Sequence, residues 1–441
     1  MLLIYTGKIT NRLRYIFEHI FKNLLGVNMH ITADKEEFLQ FEGAKLNYSS
    51  RRFEDELFFY ASPLLFERGI KQQRLKVEDY KNTKIFFIAK NNSHLPFDPF
   101  AASFYLLSRY EEYLPSEKDR FGRFKPENSV AFKHHFLHLP VIDMWVKLLA
   151  DLLQNLYPGL PINPKKYRFI PTYDIDLAYS YKHKGFLRNL GSMLKDMVQF
   201  RKDLVIERLK VLAGLLPDPY DTYEWQFTLH SQYDLKPVYF FLLGEYGPYD
   251  KNIAISTPAY QELIQTIGDW YEVGIHPSFA SNQDSRKLAV ELSILSRLLK
   301  KDVKKNRQHF IKLQMPETYQ NLIELDVQDD YTMGYASHIG FRAGTASSFY
   351  FYDLSLEIKT TLRIFPFAVM DVTLQHYQKI PAHKALDTLK KLIDAVRNVN
   401  GVFISLWHNH SLSNTHGWED WREVYEEMIK YALPDKNNLY K

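Results

Sequence analysis

Thr172-Tyr173-Asp174-Ile175-Asp176 closes a hydrophobic run that begins at Tyr167, and its two aspartates stand two residues apart. In an extended chain that spacing puts both carboxylates on one face. In parallel α/β folds reactive groups collect at the C-terminal ends of strands, so this segment reads as one rim of a site. Downstream, short apolar runs alternate with helical stripes. Strands are expected over 167–172, 238–243, 274–276 and 402–406. Leu288, Leu292, Leu295 and Leu299 form one stripe, and Leu386, Leu389, Ile393 and Val396 another. The alternation implies βα units and a parallel sheet or barrel.

Working towards the N-terminus, strands are expected over 2–5 and 85–89. A helix is expected from Asp98 through Tyr113, with Asp98 as its cap and Pro99 as its first residue. A second helix over 141–156 ends at Tyr157-Pro158-Gly159-Leu160-Pro161-Ile162-Asn163-Pro164, whose three prolines and glycine stop regular structure. The boundary is placed there. An α/β domain spans 1–160, and 165–432 holds the βα-alternating part with a helical insertion at about 185–225. Within that insertion, residues 185–216 are rich in Leu, Met, Lys and Arg. Asp196, Asp203 and Glu207 interrupt the basic face, so a lid or packing helix over the barrel mouth is expected in preference to a helix on a membrane surface.

The 441 residues include 56 Lys and Arg against 52 Asp and Glu, a net charge of +4 spread too thinly for a nucleic-acid stripe. Nucleic acid is not the expected partner. With no Cys, any metal must be held by His and carboxylates. The N-terminal residues lack an uninterrupted apolar core, and no apolar run approaches the roughly 20 residues of a spanning helix. No signal peptide, no transmembrane segment and a cytoplasmic location are expected. Aromatic residues make up 15% of the chain, which suits surfaces that stack on sugars as well as aromatic cores.

Later segments supply the partners for Asp174 and Asp176. Glu272-Val273-Gly274-Ile275-His276-Pro277-Ser278 ends a short strand in a histidine, a good place for a metal ligand. Asn306-Arg307-Gln308-His309-Phe310 and Gly340-Phe341-Arg342-Ala343-Gly344-Thr345 each offer an arginine that can grip a carboxylate or an anionic substrate group. In Val402-Phe403-Ile404-Ser405-Leu406-Trp407-His408-Asn409-His410, a buried strand delivers His408 to its end, where an imidazole can protonate a leaving amine.

In that order the segments resemble the successive motifs of the polysaccharide deacetylase family, over roughly residues 165–415, and in particular a bacterial subgroup with an extra N-terminal domain. Asp98 to Tyr113 and Arg120-Phe121-Gly122-Arg123-Phe124 are similar to that domain. The resemblance implies a distorted (β/α) barrel preceded by a smaller α/β domain, and a metal-dependent hydrolase that removes acetyl groups from N-acetylated saccharides. It implies Asp174 as catalytic base, Asp176 and His276 as metal ligands, Arg307 as the residue orienting Asp174, and His408 as general acid. Leu235 to Phe241 resembles the strand between the first two motifs, and Asp371 is similar to the fourth. Arg342, Asp371, Trp407 and His410 are the expected substrate contacts. The implied cofactor is a divalent metal, zinc first, with nickel or cobalt as alternatives.

Two departures bear on this. The glycine that ends the family's first motif is Leu177 here, and the second histidine of its second motif is Ala280. Two protein ligands make a poor zinc site, so His309, two residues after Arg307, is expected to supply the missing imidazole. The rival expectation is a catalytically inactive saccharide-binding or scaffold protein of a cell-surface polysaccharide pathway.

Overall fold

The computed structural model describes residues 1–89 and 92–434. Near the N-terminus β1 (Leu2–Thr6), β2 (Met29–Thr32), β3 (Ala44–Ser49) and β4 (Leu57–Tyr60) form a parallel sheet in the order β2-β1-β3-β4. A short antiparallel ribbon follows, β5 (Glu78–Tyr80) and β6 (Thr83–Ile85). The strand expected over 85–89 ends at Ile85, because Phe87 takes a left-handed φ of 56° that interrupts extended pairing. Helix Pro99–Leu107 starts as its sequence requires: the Asp98 carboxylate accepts from the Phe100 and Ala101 amides at 3.0 Å each, and also from the Tyr48 hydroxyl at 2.7 Å. The helix does not run on to Tyr113. Arg109 turns left-handed, and a separate tight turn covers Tyr110–Tyr113. Helix Val141–Leu156 matches its expected bounds.

The rest of the chain is organised by nine strands: β7 (Arg168–Ile175), β8 (Val238–Leu242), β9 (Glu272–His276), β10 (Lys305–Asn306), β11 (Asp329–Asp330), β12 (Phe349–Asp353), β13 (Ile358–Ile364), β14 (Val369–Met370) and β15 (Val402–His408). Their order is β12-β13-β11-β10-β9-β8-β7-β15-β14. All neighbours are parallel except β12 and β13. Among the described residues no strand pairing joins β12 to β14, so the closed barrel expected from the sequence is an open, mostly parallel sheet. Residues 365–368 pass across the gap on single backbone bonds instead, Phe367 to the Met333 carbonyl and Ala368 to that of Ile404.

Side-chain alternation along these strands decides what lines the inside. All seven residues of β15 are buried, as in a strand covered on both faces. Phe403 and Trp407 join the core between sheet and helices, whereas Val402, Ile404 and Leu406 join a second cluster within the sheet's curve. Tyr239 and Phe241 of β8 go outward while Val238 and Phe240 go inward, and Tyr173 and Ile175 of β7 go outward. The same parity turns Asp174, Asp176, His276 and His408 inward, at the C-terminal ends of β7, β9 and β15. Gly274 leaves space for this layer. A Cβ there would lie 2.5 Å from the Phe240 ring and 2.8 Å from the Lys305 carbonyl oxygen.

The N-terminal core does not stop at residue 160. One continuous apolar cluster runs from Leu2, Phe17 and Phe100 through Trp145 to Tyr319, Phe349, Tyr352 and Ile364 on the outside of the β12–β13 edge. The insertion forms two helices, Phe186–Val198 and Lys202–Leu212. They pack on each other through a buried Asp196–Arg208 ion pair of 2.7 Å, while Phe186, Leu187, Leu194 and Met197 of the first and Ile206, Leu209 and Leu212 of the second remain exposed.

Candidate metal and catalytic site

Three histidines converge on Asp176, each with its Nδ1 tied back by a different acceptor. His276 Nδ1–H donates to the Arg307 carbonyl at 2.6 Å. His309 Nδ1–H donates to Asp250 at 2.9 Å, and His408 Nδ1–H to Asp371 at 2.9 Å. Such bonds fix the tautomer and leave Nε2 as the free ligand atom. All three Nε2 atoms face the Asp176 carboxylate, at 3.2 Å from His276, 3.6 Å from His309 and 3.7 Å from His408. Ligand atoms of Asp176, His276 and His309 all lie within 4.8 Å of one another. Asp176 Oδ1 is buried without a hydrogen-bond partner, an arrangement that costs free energy unless a cation meets the oxygen. Two imidazoles and a carboxylate make the donor set of an open zinc site, so the residues present fit a divalent metal.

His309 reaches this position through a sharp turn. Phe310 and Ile311, immediately after it, both have left-handed backbones, with φ of 59° and 52°. A β-branched residue such as Ile311 rarely adopts that conformation, which places local strain beside the site. An N-terminal residue supports the turn, because the Arg123 guanidinium donates to the Phe310 carbonyl at 2.6 Å and is itself held by Asp119 at 2.7 Å. Phe121 packs its ring against Phe310, Phe279 and Tyr249, at centroid distances of 5.0, 6.2 and 6.0 Å. The loop 118–125 thus forms part of the rim.

Asp174 sits beside these three candidate ligands without joining them. Arg307, fully buried over the Phe240 ring, donates to Asp174 Oδ1 at 3.0 Å, to Thr172 Oγ1 at 2.7 Å and to the Tyr331 carbonyl at 3.0 Å. Asp174 Oδ2 stands 3.6 Å from His276 Nε2. Arg307 Nη2 has no partner, a second orphaned polar atom in the same site.

The electrostatics follow from burial competing with close opposite charge. Burial alone would raise the Asp176 carboxyl, but His309 and His276 outweigh it and hold it well below the usual carboxylate range. Burial would likewise lower the two imidazoles, yet Asp176 and Asp250 raise His309 to about 9, and Asp371 chiefly raises His408 to about 10. His410 has no such partner. Burial and the neighbouring His408 lower it to about 4.

The expected substrate contacts are distributed differently. Arg342 is not free to meet an anion: it donates to both Glu112 oxygens, at 2.6 and 2.9 Å, and to the Gly334 carbonyl at 3.0 Å. Asp371 is buried beneath His408, accepting from its backbone amide at 2.7 Å as well as from its ring. Trp407 points outward by strand parity, into the helix-facing core against Tyr425. Only His410 remains at the rim, half-buried with its ring centroid 5.1 Å from that of His408. Asp250 escaped the sequence reading. It lies in a strand-end loop, the one signal that could have marked it.

The family model that matches the chain is a family of unknown function, DUF7033, over residues 2–158. No curated protein matches the sequence. Among solved structures, the chain is similar to a protein described as a putative polysaccharide deacetylase from Mycobacterium smegmatis, at 12% identity and a TM-score of 0.39, covering 60% of this chain and 83% of that one. It is also similar to 4-alpha-glucanotransferase from Thermococcus litoralis, at 14% identity and a TM-score of 0.35, covering 61% of this chain and 37% of that one.

Proposed function

We propose that the chain is a metal-dependent hydrolase that removes the acetyl group from an N-acetylated saccharide. The observation that carries this reading is the convergence of Asp176, His276 and His309 within 4.8 Å, with an arginine-held Asp174 and an Asp371-held His408 on either side. The order of the motifs along the chain supports the same reaction class.

A divalent cation held by Asp176, His276 and His309, zinc first, would polarise the acetyl carbonyl and acidify a water. Asp174 takes the proton of the attacking water, and Arg307 keeps that carboxylate aimed. The water oxygen bonds to the acetyl carbon, the carbon–nitrogen bond breaks, and His408 gives its Nε2 proton to the departing amine, releasing acetate. Asp371 holds the His408 ring so that Nε2 faces the reacting group throughout. His410, beside it, meets the sugar.

The test is protein purified without chelator, analysed for bound metal and for acetate released from small N-acetylated sugars. Stoichiometric metal with acetate release that Asp174→Asn abolishes, while leaving the metal bound, is the expected result. Release only from O-acetylated sugars would reassign the bond cleaved to an ester. Failure to bind metal even on reconstitution would overturn the reading in favour of a non-catalytic saccharide binder.

A further inference from the structure

The helical insertion takes no part in the proposed hydrolysis, and its surface is unlike the rest of the molecule. Residues 182–216 carry eight Lys and Arg against three Asp and Glu, a net of +5 within a chain whose total is +4. The remainder is therefore close to neutral. Asp196 pairs with Arg208 inside the hairpin, which removes one charge of each sign and leaves the net at +5, and Glu207 faces His416 at 3.2 Å.

The same segment exposes apolar side chains. Phe186, Leu187, Val198, Phe200 and Leu215 are each at least 73% exposed. The exposure has helical spacing: Phe186, Leu194 and Met197, with half-buried Leu190 between them, fall three or four residues apart on the first helix, and Ile206, Leu209 and Leu212 three apart on the second. Water-facing surfaces seldom carry contiguous apolar patches of this kind without a partner. Apolar stripes flanked by lysines and arginines are the composition of helices that lie in a lipid interface.

The hairpin sits on the rim that carries the site. It follows the strand that ends at Ile175, and the Arg188 guanidinium donates to the carbonyls of Lys251 and Asn252 at 2.8 and 2.9 Å, immediately after the Asp250 that holds His309. Exposed Tyr246 lies between Arg188 and Lys251, whose charged groups stand 4.1 and 4.6 Å from its ring centre. An amphipathic ring with basic neighbours again suits the headgroup level.

We propose that the hairpin docks the molecule on the surface of a phospholipid bilayer bearing anionic headgroups, holding the rim around Asp176 close to the lipid. Charge selects this occupant over a second copy of the chain. A symmetric dimer through the hairpin would bring two basic surfaces together, whereas anionic lipid complements the charge and the apolar stripes at once. No helix among the described residues is long and apolar enough to cross a membrane, so the contact is interfacial. Where the deacetylase reading holds, the saccharide is one presented at a membrane; that step rests on the reading, and the docking itself does not.

The experiment is flotation of the full chain with vesicles of phosphatidylcholine alone and with vesicles of phosphatidylcholine and phosphatidylglycerol in equal parts. The protein is expected to float with the anionic vesicles and to be released by high salt. The combined Phe186→Ser, Leu187→Ser and Phe200→Ser variant is expected to bind at least about tenfold more weakly with an unchanged melting temperature. No flotation with anionic vesicles, equal binding to both compositions, or an oligomer in analytical ultracentrifugation that the same substitutions dissociate without any vesicle binding would each overturn the proposal. Vesicle binding without acetate release removes only the activity, and acetate release without vesicle binding removes only the docking.

Discussion

Two clusters of buried charge meet the loop that follows β11, one through Arg342 and one through the Tyr331 carbonyl, and they are built to different rules. In the first, Arg109, Glu111, Glu112 and Arg342 join the N-terminal residues to the sheet. Arg109 donates to Glu112 at 2.8 Å and to Glu111 at 3.1 Å, and its other donors reach Tyr335 and the Arg342 carbonyl. Two cations meet two anions, and none of these four side chains has a buried polar atom without a partner. In the second, Asp176 Oδ1 and Arg307 Nη2 are buried with nothing to bond. Equal burial therefore carries opposite meanings. A paired network fixes how the parts of the chain meet, while an unpartnered carboxylate oxygen among convergent imidazoles leaves room for a bound group.

The largest effect that could break this contrast is expected at the metal ligands. His309→Ala should remove bound metal and lower acetate release by about 10³-fold or more. The fold should survive at reduced stability, because the variant leaves the apolar core intact while Asp176 and Asp250 lose a facing imidazole. Metal analysis beside a thermal melt checks both halves. Unchanged metal content in this variant would falsify the assignment of His309 as a ligand.

Glu112→Ala should do the reverse, destabilising the protein by about 3–5 kcal/mol because it strands the buried Arg342 guanidinium and leaves Arg109 with Glu111 alone, with metal still bound by the protein that remains folded. The pH dependence has a definite sign. Burial would raise Glu112, but Arg342 and Arg109 overcome it and lower the group to about 2. Its contribution is thus fully present above the ordinary carboxylate pKa of about 4.3 and is lost as pH falls from there through about 2. Denaturant titrations of the wild type and Glu112→Gln across that range should converge towards the acid end. Curves that stay parallel would mean that the ion pairs contribute nothing measurable.

Much of the site was legible before the fold. Asp174, Asp176, His276 and His408 each end a run of apolar residues, and strand parity alone puts them on one face. His309 could be proposed because Ala280 left the ligand set one short and an imidazole stands two residues after Arg307. Other features had no local signature. β10, β11 and β14 are two residues long, too short for any periodicity, and hold their places through neighbours in the sheet. Arg342 looked like a ligand-binding arginine in a glycine-rich loop. The glycines instead serve close packing against the N-terminal residues: Gly340, at φ +118°, would place a Cβ 2.3 Å from the Leu137 carbonyl oxygen. The partner that engages Arg342 lies 230 residues earlier in the chain, a separation no sequence spacing reveals.

Residues that orient the ligands should show intermediate effects. Asp250→Asn leaves the His309 ring in place but weakens the bond to its Nδ1–H, and metal affinity should fall about 10–100-fold. Asp371→Asn acts through His408 and not through the metal, so acetate release should fall by a similar factor with metal content unchanged. Metal titration of the two variants separates these roles. Equal loss of metal in both would merge His408 with the ligand set.

The smallest expected effect sharpens the comparison, because it asks whether the paired side of the molecule serves the orphaned one. Arg123 is bound to Asp119 within the N-terminal loop and donates to the carbonyl of Phe310. It thereby holds the left-handed turn that aims His309. If that support matters, Arg123→Ala should weaken metal binding a few-fold, with a stability change near 1 kcal/mol, the ordinary range for one lost hydrogen bond. Arg123→Lys keeps the charge but cannot bond Asp119 and the carbonyl with the same planar geometry, so it should recover only part of the affinity. Full affinity in Arg123→Ala would show that the turn after His309 stands by itself, leaving the N-terminal residues to contribute through Phe121 and the rim alone.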